Sequence, residues 1–499
     1  MGIVIKKTII TSVVNYIGVL LGVISVLWLQ TAIISELQIG ILSYIIDVTI
    51  LLLPFILFGI SGVPARFMHH FKDGEERNSF ISWLLIVPVI TLFALMIIFL
   101  LFKNQIIFLL GDDVVIYSNY LVFIFPLVFC YTYQYLFEAI LVTQTYIVFP
   151  SILKNIYRRL ILITLLLLYF FKVIDFYQLV FYYVVAHFVE IISLFIFLRF
   201  HLKYKFTNPK LMLNHPKKKE IYSYALYLVI GVTGVVLVGK LDTVMISSIT
   251  DDFKMLGVYA IAFFIGSVIE IPKRIVHQLV LPIMSRLVSE ENNLELSKLY
   301  KQTGINMAII GVLLFLLIWF NIDELFLIIP NGEKYAAGKW VVFFIGLSKV
   351  LDIVFGTTDL IINASRHYKL NGILAPILII STVITNYFFI TIYGITGAAI
   401  ATSLTIFIYS IIKYYMVLRL IKLNLITTSY LSILLHSLLV ILFFEFSNIT
   451  FSNNYLAIIF NTIMICVIFI GGNYITKTSI EMNSFMSNLT RKLLYKTKN

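Results

Sequence analysis

Apolar residues come along this chain in runs of roughly 20, each closed by a short polar stretch, from about residue 9 to residue 476. A helix of about 20 residues crosses a ~30 Å hydrocarbon core. The pattern therefore predicts fourteen membrane helices, here called spans 1 to 14. They lie at about 9–31, 39–63, 79–102, 115–143, 149–171, 176–199, 221–248, 256–288, 304–329, 338–365, 370–392, 394–418, 429–446 and 455–476. Spans 2, 4, 8 and 10 exceed the length of a crossing, which implies tilt or extension into water. The first run follows Lys6 and Lys7, is too long for a secretory h-region and lacks a small-x-small cleavage site, so it is expected to remain as span 1.

Composition agrees with the pattern. With 61% of its 499 residues hydrophobic and 12% charged, the chain has too little polar surface for a water-soluble globule. The fold class is an all-α integral membrane protein. Lys and Arg accumulate on the cytoplasmic side of membranes, and about 27 of the 37 here fall on the side of the two termini, against about five in the opposite loops. Both termini are thus expected in the cytoplasm of a cell whose plasma (inner) membrane holds the protein. The net charge of +12 follows from this bias and calls for no nucleic-acid partner. The densest cluster, Lys203 to Lys219, is expected to face anionic membrane lipid. Cys130 and Cys466 both sit in apolar runs, so neither a disulfide framework nor a thiolate metal site is expected.

Enzyme classes are disfavoured. GxxxxGK[ST] and HExxH are both missing, and the histidines have no zinc spacing. The outer loops, at about a dozen residues, are too short to house glycosyltransferase or polymerase catalysis. No cofactor is expected.

An internal repeat organises the chain. IISELQIGILSYI from Ile33 and MISSITDDFKMLGVYAI from Met245 both run from a helix end through a polar loop into a Gly-containing helix start. Pro54 and Pro64 follow Gly40 as Pro272 and Pro282 follow Gly257, and Glu138 and Asp359 fall at a similar offset. Two six-helix lobes are expected, 1–206 and 217–422, with two extra helices and a tail in 423–499. Proline inside a span removes one backbone hydrogen bond and bends the helix. The four prolines therefore mark spans 2 and 8 as candidate moving walls, or as kinks without function.

The segment GKLDTVMISSITDDFKMLGVYAIAFFIGSVIEIPKRIVHQLVLPIMSRL, together with LGVISVLWLQTAII, QIGILSYI and KVLDIVFGTTDLIINASRHYKLNG, resembles bacterial polysaccharide (O-antigen) exporters. These are lipid-linked oligosaccharide flippases of the multidrug/oligosaccharidyl-lipid/polysaccharide exporter superfamily. The resemblance implies two six-helix lobes around a central cavity and alternating access that moves undecaprenyl-diphosphate-linked sugar to the outer leaflet. A polysaccharide polymerase would be a natural partner. The alternative is an ion-coupled multidrug or small-solute antiporter of the same superfamily, which would typically stop at twelve spans and use acidic cavity groups.

Ionisable groups inside a membrane are expensive and usually face a cavity or one another. Glu270, Lys273 and Arg274 stand at i, i+3 and i+4, so they share a helix face and can pair. A cationic pair beside a kink suits a diphosphate; at the membrane edge the same residues would simply snorkel. In span 10, Lys349, Asp352, Gly356, Asp359 and Asn363 fall within about 80° of arc at about 100° per residue. This stripe is either a cation or proton path, with Asp352 ionised beside Lys349 and Asp359 titrating, or interhelical packing with a local Lys–Asp pair. Span 1 carries Thr11, Asn15, Gly18, Gly22 and Ser25, whose small residues favour close packing over a sugar path. Lys240 and Asp242 point to different faces of span 7. Asp47, Glu138 and Glu190 are lone acids and candidate ion sites. Substrate contacts are thus expected from Arg274, Lys273, Lys240 and Asn15, and coupling to H⁺ or Na⁺ from Asp359, Asp352, Glu138 and Asp47. Most of the 30 tyrosines and 42 phenylalanines must be core or interfacial belt.

The charge bias yields a direct test. In a background without Cys130 and Cys466, a cysteine at position 210 or in the tail after 477 should resist a membrane-impermeant maleimide applied to intact cells. Labelling from outside at either place contradicts the orientation.

Overall fold

The computed structural model describes residues 2–496 apart from 111–113, 115, 366, 368, 448 and 450. The side chains of 2–6, 8, 9, 107–110, 211, 213, 230–236, 274, 275, 278 and 489–496 also lie outside the description.

Every regular element among the described residues is helical, and eleven helices are long and apolar enough to cross a membrane. The expected fourteen differ at two places. Spans 11 and 12 form the 52-residue helix Lys369–Leu420, interrupted only at Gly394 (φ 55°). Span 7 is present as the helix Lys218–Thr250, and it stands outside the eleven only because its side chains 230–236 are outside the description. Span 5 is the succession Val148–Ile152, Leu153–Tyr157 and Arg158–Phe170, whose middle turn is a π-helix. It holds Lys154, Arg158 and Arg159, so these three cations, counted toward the cytoplasmic loops by sequence, lie within a helix. Helices this apolar still meet lipid over much of their surface: Ile90, Phe93, Ile98, Leu100 and Leu101 of Glu75–Leu101 are all exposed.

Packing separates two units, Met1–Ala260 with Gly372–Ile395, and Ile261–Asn371 with Thr396–Asn499.

In the first unit, span 2 is Glu36–Leu57. Ser35 caps it in a reciprocal box: its hydroxyl accepts from the Gln38 amide (3.3 Å) while Gln38 Oε1 accepts from the Ser35 amide (2.9 Å). Phe253–Ser267, the start of span 8, is capped at the equivalent position by Asp252, whose Oδ1 accepts from the Lys254 amide at 2.7 Å. The two helix starts cross on their glycines. A Cβ on Gly40 would overlap the carbonyl oxygen of Phe253, and a Cβ on Gly257 would overlap that of Glu36. Positions 36 and 253, like 40 and 257, share one spacing along the chain, so the contact is reciprocal between the two copies of the repeat. Only glycine lets two backbones approach this closely.

The prolines do not all kink helices. Pro54 lies inside Glu36–Leu57, after which Phe58 (φ 45°) and Gly59 (φ 73°) turn the chain in the left-handed region. Pro64 instead opens the short helix Val63–Phe67. In the second unit, span 8 breaks at a 3₁₀ turn, Val268–Glu270, and Pro272 opens Ile271–Ser289, while Pro282 lies inside it. Proline at a helix start has no amide to lose and its φ is preset. Pro64 and Pro272 therefore restart helices, and Pro54 and Pro282 interrupt them. The second unit's core gathers Ile269, Met307, Val350 and Ile353 in one cluster, and Met284, Tyr300, Leu360 and Leu425 in another. There the buried Tyr300 hydroxyl meets Thr358 Oγ1 at 2.9 Å.

Replacing Gly40 or Gly257 by Ala should destabilise the purified protein by about 1–3 kcal/mol through overpacking. Gly471→Ala, where an added Cβ meets nothing within 4 Å, should be neutral or slightly stabilising. Melting temperatures check this, and equal values for the three variants would contradict it.

Candidate functional site

The second unit assembles the stretch VIEIPKRIV against span 10. Because the chain breaks at Val268–Glu270 and restarts at Pro272, Glu270 and Lys273 both face Lys339–Ala364. Lys349 Nζ reaches Glu270 Oε2 at 2.7 Å, and Lys273 Nζ reaches Asp352 Oδ2 at 2.6 Å. One face of span 10 then continues to Asp359, which pairs with Lys413 of Lys369–Leu420. Gly356, between the last two acids, gives the Lys273 chain its room. A Cβ there would stand 2.8 Å from Lys273 Cε and 3.2 Å from His277 Nε2. Lys413 Nζ also lies 4.0 Å from the Tyr409 ring centroid, as a cation–π contact.

Two sequence expectations are corrected. Glu270 does not pair with Lys273, and Lys349 does not pair with Asp352; the expected Glu270–Arg274 pairing lies outside the described residues. Each finds its partner on a neighbouring helix, because the break at Glu270 turns the two acid–base rows toward each other. The face of span 10 is as expected, with Lys349, Asp352, Gly356 and Asp359 all in the row. The Arg274 side chain lies outside the described residues, whereas Asn363 accepts from Asn371 Nδ2 at 2.8 Å.

In the first unit the three acids expected to be lone, Asp47, Glu138 and Glu190, each have a basic partner. Asp47 pairs with Lys240 and accepts from Thr243 Oγ1 at 2.7 Å. Asp242, fully buried, accepts from Tyr259 (2.7 Å) and from Asn386 (2.7 Å), so it and Lys240 do point to different faces. Glu138 meets Lys154 at 3.1 Å, and Glu190 meets Arg158 at 2.8 Å. Arg158 also donates to Gln134 and lies over the Tyr131 ring, 4.6 Å from its centroid. Asn15 accepts from Asn155 Nδ2 at 3.0 Å, and a Cβ on Gly18 would stand 2.7 Å from Asn155 Cβ. Here the small residues of span 1 serve close packing.

Sequence reading missed Lys413, Lys154, Arg158 and Arg159 as membrane charges. For Lys413 the signal was present, since an ionisable residue inside span 12 obeys the same rule that singled out span 10. The other three also stood inside the expected span 5, where the polar run KNIYRR called for the same rule; the π-turn at Leu153–Tyr157 continues the helix through it.

What the arrangement can do is exchange partners. Each pair is neutral, so it can be carried inside low-dielectric surroundings, and each carboxylate can take up a proton or a cation only as its ammonium lets go.

The matches to known proteins bear on what such a framework is for. The family model described as polysaccharide biosynthesis protein matches residues 4–288. The chain belongs to that family. Its fold is that of a lipid II flippase MurJ structure in an inward closed conformation, at a TM-score of 0.74 and 17% identity, covering 92% of this chain and 98% of that one. It is also similar to an inward-facing multidrug resistance MATE transporter of the MOP superfamily, at a TM-score of 0.60 and 14% identity, covering 82% and 96%. A third likeness is to a MATE transporter of Vibrio cholerae, at a TM-score of 0.51 and 12% identity, covering 84% and 98%. No curated protein matches the sequence. The family member is thus a multi-pass membrane protein with the fold of flippases and transporters.

Lys413→Ala should leave Asp359 as an uncompensated charge and destabilise the protein by about 3–5 kcal/mol. Lys413→Ala combined with Asp359→Asn should recover most of that loss. Thermal melts of the singles and the double variant measure the coupling. Additive losses would mean that the two groups do not pair.

Proposed function

We propose that this family member flips an undecaprenyl-diphosphate-linked oligosaccharide, a repeat unit of a surface polysaccharide such as O-antigen, from the inner to the outer leaflet of the plasma membrane by alternating access. The observation that carries this reading is the match of residues 4–288 to a polysaccharide biosynthesis family. A multidrug or small-solute antiporter would share the fold but gives no reason for that match. Both termini are cytoplasmic in this reading, and a polymerase on the outer face would consume the delivered unit.

The driving force comes from an ion gradient felt at Asp359. Lys413 holds this carboxylate in one state. A proton or Na⁺ that displaces the ammonium would release span 12 from span 10, which changes how the two helices pack. Lys273, Lys240 and Arg274 remain the substrate-side cations of this proposal. Asp352, Glu138 and Asp47, each held by a lysine, are secondary ion sites.

Proteoliposomes loaded with a fluorescent undecaprenyl-diphosphate-linked sugar test it. Wild-type protein should move the lipid faster under an imposed pH or Na⁺ gradient, and Asp359→Asn should lose that acceleration while keeping basal movement. Transport of cationic dyes without lipid movement would favour the antiporter. An Asp359→Asn variant that responds to the gradient as wild type does would place coupling elsewhere.

A further inference from the structure

More than one turn inside the expected spans, six cations with described side chains each have a carboxylate partner: Lys154, Arg158, Lys240, Lys273, Lys349 and Lys413. Arg159 has none. Among the described residues it forms neither an ion pair nor a hydrogen bond, although it follows Val148 by eleven positions, about 16 Å along a helix and so near the middle of a ~30 Å core. The neighbouring Glu190 is already engaged by Arg158 at 2.8 Å, and Glu138 by Lys154 at 3.1 Å.

Span 1 lays glycine backbone against this cation. Asn155 and Arg159 stand at i and i+4 on span 5, opposite Gly18 and Gly22 at i and i+4 on span 1. A Cβ on Gly22 would sit 3.5 Å from both Cζ and Nε of Arg159 and 3.7 Å from Nη2. The guanidinium therefore lies with its face against a bare stretch of backbone. The Asn15 and Asn155 amides are bonded to each other one turn away. An unpaired charge at this depth is destabilising by itself, so it is retained where something anionic visits.

We propose that Arg159 is an anion-binding residue for the phosphate groups of a lipid-linked substrate. This rests on the flippase reading and adds to it a site in the first unit. A guanidinium with all its donors uncommitted offers the planar fork that fits two phosphate oxygens, which a lysine cannot match. Contact of its face with Gly22 leaves the edge donors of that fork uncovered, and the Asn15–Asn155 pair supplies polar groups beside it.

Full-length protein purified in detergent, titrated with undecaprenyl diphosphate, undecaprenol and phosphatidylglycerol, tests the assignment. Wild type should bind the diphosphate far more tightly than the alcohol. Arg159→Gln should weaken diphosphate binding about tenfold or more and leave undecaprenol unchanged, and Arg159→Lys should fall between. The ligand-free melting temperature of Arg159→Gln should equal or exceed that of wild type, since a burdened charge has gone. Equal diphosphate affinity in Arg159→Gln overturns the assignment. So does a marked fall in its ligand-free melting temperature, which would make Arg159 structural, or equal binding of phosphatidylglycerol, which would make it an ordinary lipid contact. If wild type itself does not distinguish diphosphate from alcohol, the flippase reading falls together with this one.

Discussion

A charged side chain in hydrocarbon must be neutralised by another charge or must face water or substrate, and that constraint orders most of what this chain does. Helices solve the backbone's hydrogen bonding within each segment, leaving side-chain charges as the specific links between segments. Lys240 ties span 7 to Asp47 of span 2, Arg158 ties span 5 to Glu190 of span 6, and Lys349, Lys273 and Lys413 tie span 10 to its neighbours. Apolar contacts alone cannot choose a register between two leucine-rich helices, because lipid tails are as apolar as leucine. An ion pair at 2.6 Å can, since displacement by one turn would leave two unpaired charges.

The second device is steric. Reciprocal overlap of Gly40 with the Phe253 carbonyl, and of Gly257 with that of Glu36, brings two capped helix starts together without any side chain between them. Such a crossing holds by dispersion and close fit between two backbones. Charge pairs and glycine crossings thus divide the labour: the first set register, the second set closeness.

How much of this was legible follows from the kind of signal each feature leaves. Span positions were legible because twenty apolar residues leave a mark that no loop imitates. The eleven qualifying helices take in twelve of the expected segments; span 5 falls outside because it carries three cations, and span 7 because its middle side chains, 230–236, lie outside the described residues. The polar row of span 10 was legible from spacing, as was the equivalence of Gly40 and Gly257. Partners were not. Nothing in the local sequence says that Glu270 will choose Lys349 over Lys273 three residues away, because the choice depends on a 3₁₀ break and on which helix packs opposite. Lys413 shows the complementary failure, a charge whose meaning appears only once Asp359 is seen beside it.

The distribution of pairs carries a mechanical consequence. In the second unit three carboxylate–ammonium pairs line one face of span 10, and its acids and bases alternate between that helix and the two that flank it: Lys349 with Glu270, Asp352 with Lys273, Asp359 with Lys413. A row of this kind has almost no net charge, so carrying it in the membrane needs no compensating counter-ion from outside. Neutralising any one acid breaks that balance and strands a lysine, whose nearest remedy is a neighbouring carboxylate one or two turns away. A single protonation is therefore felt along the whole row rather than at one residue. The glycine at 356 removes the side chain that would otherwise keep Lys273 from shifting along it. Coupling between an ion and a helix movement then requires no long-range conformational relay, only a lysine with two carboxylates within reach and a protein in which one of them has just become neutral.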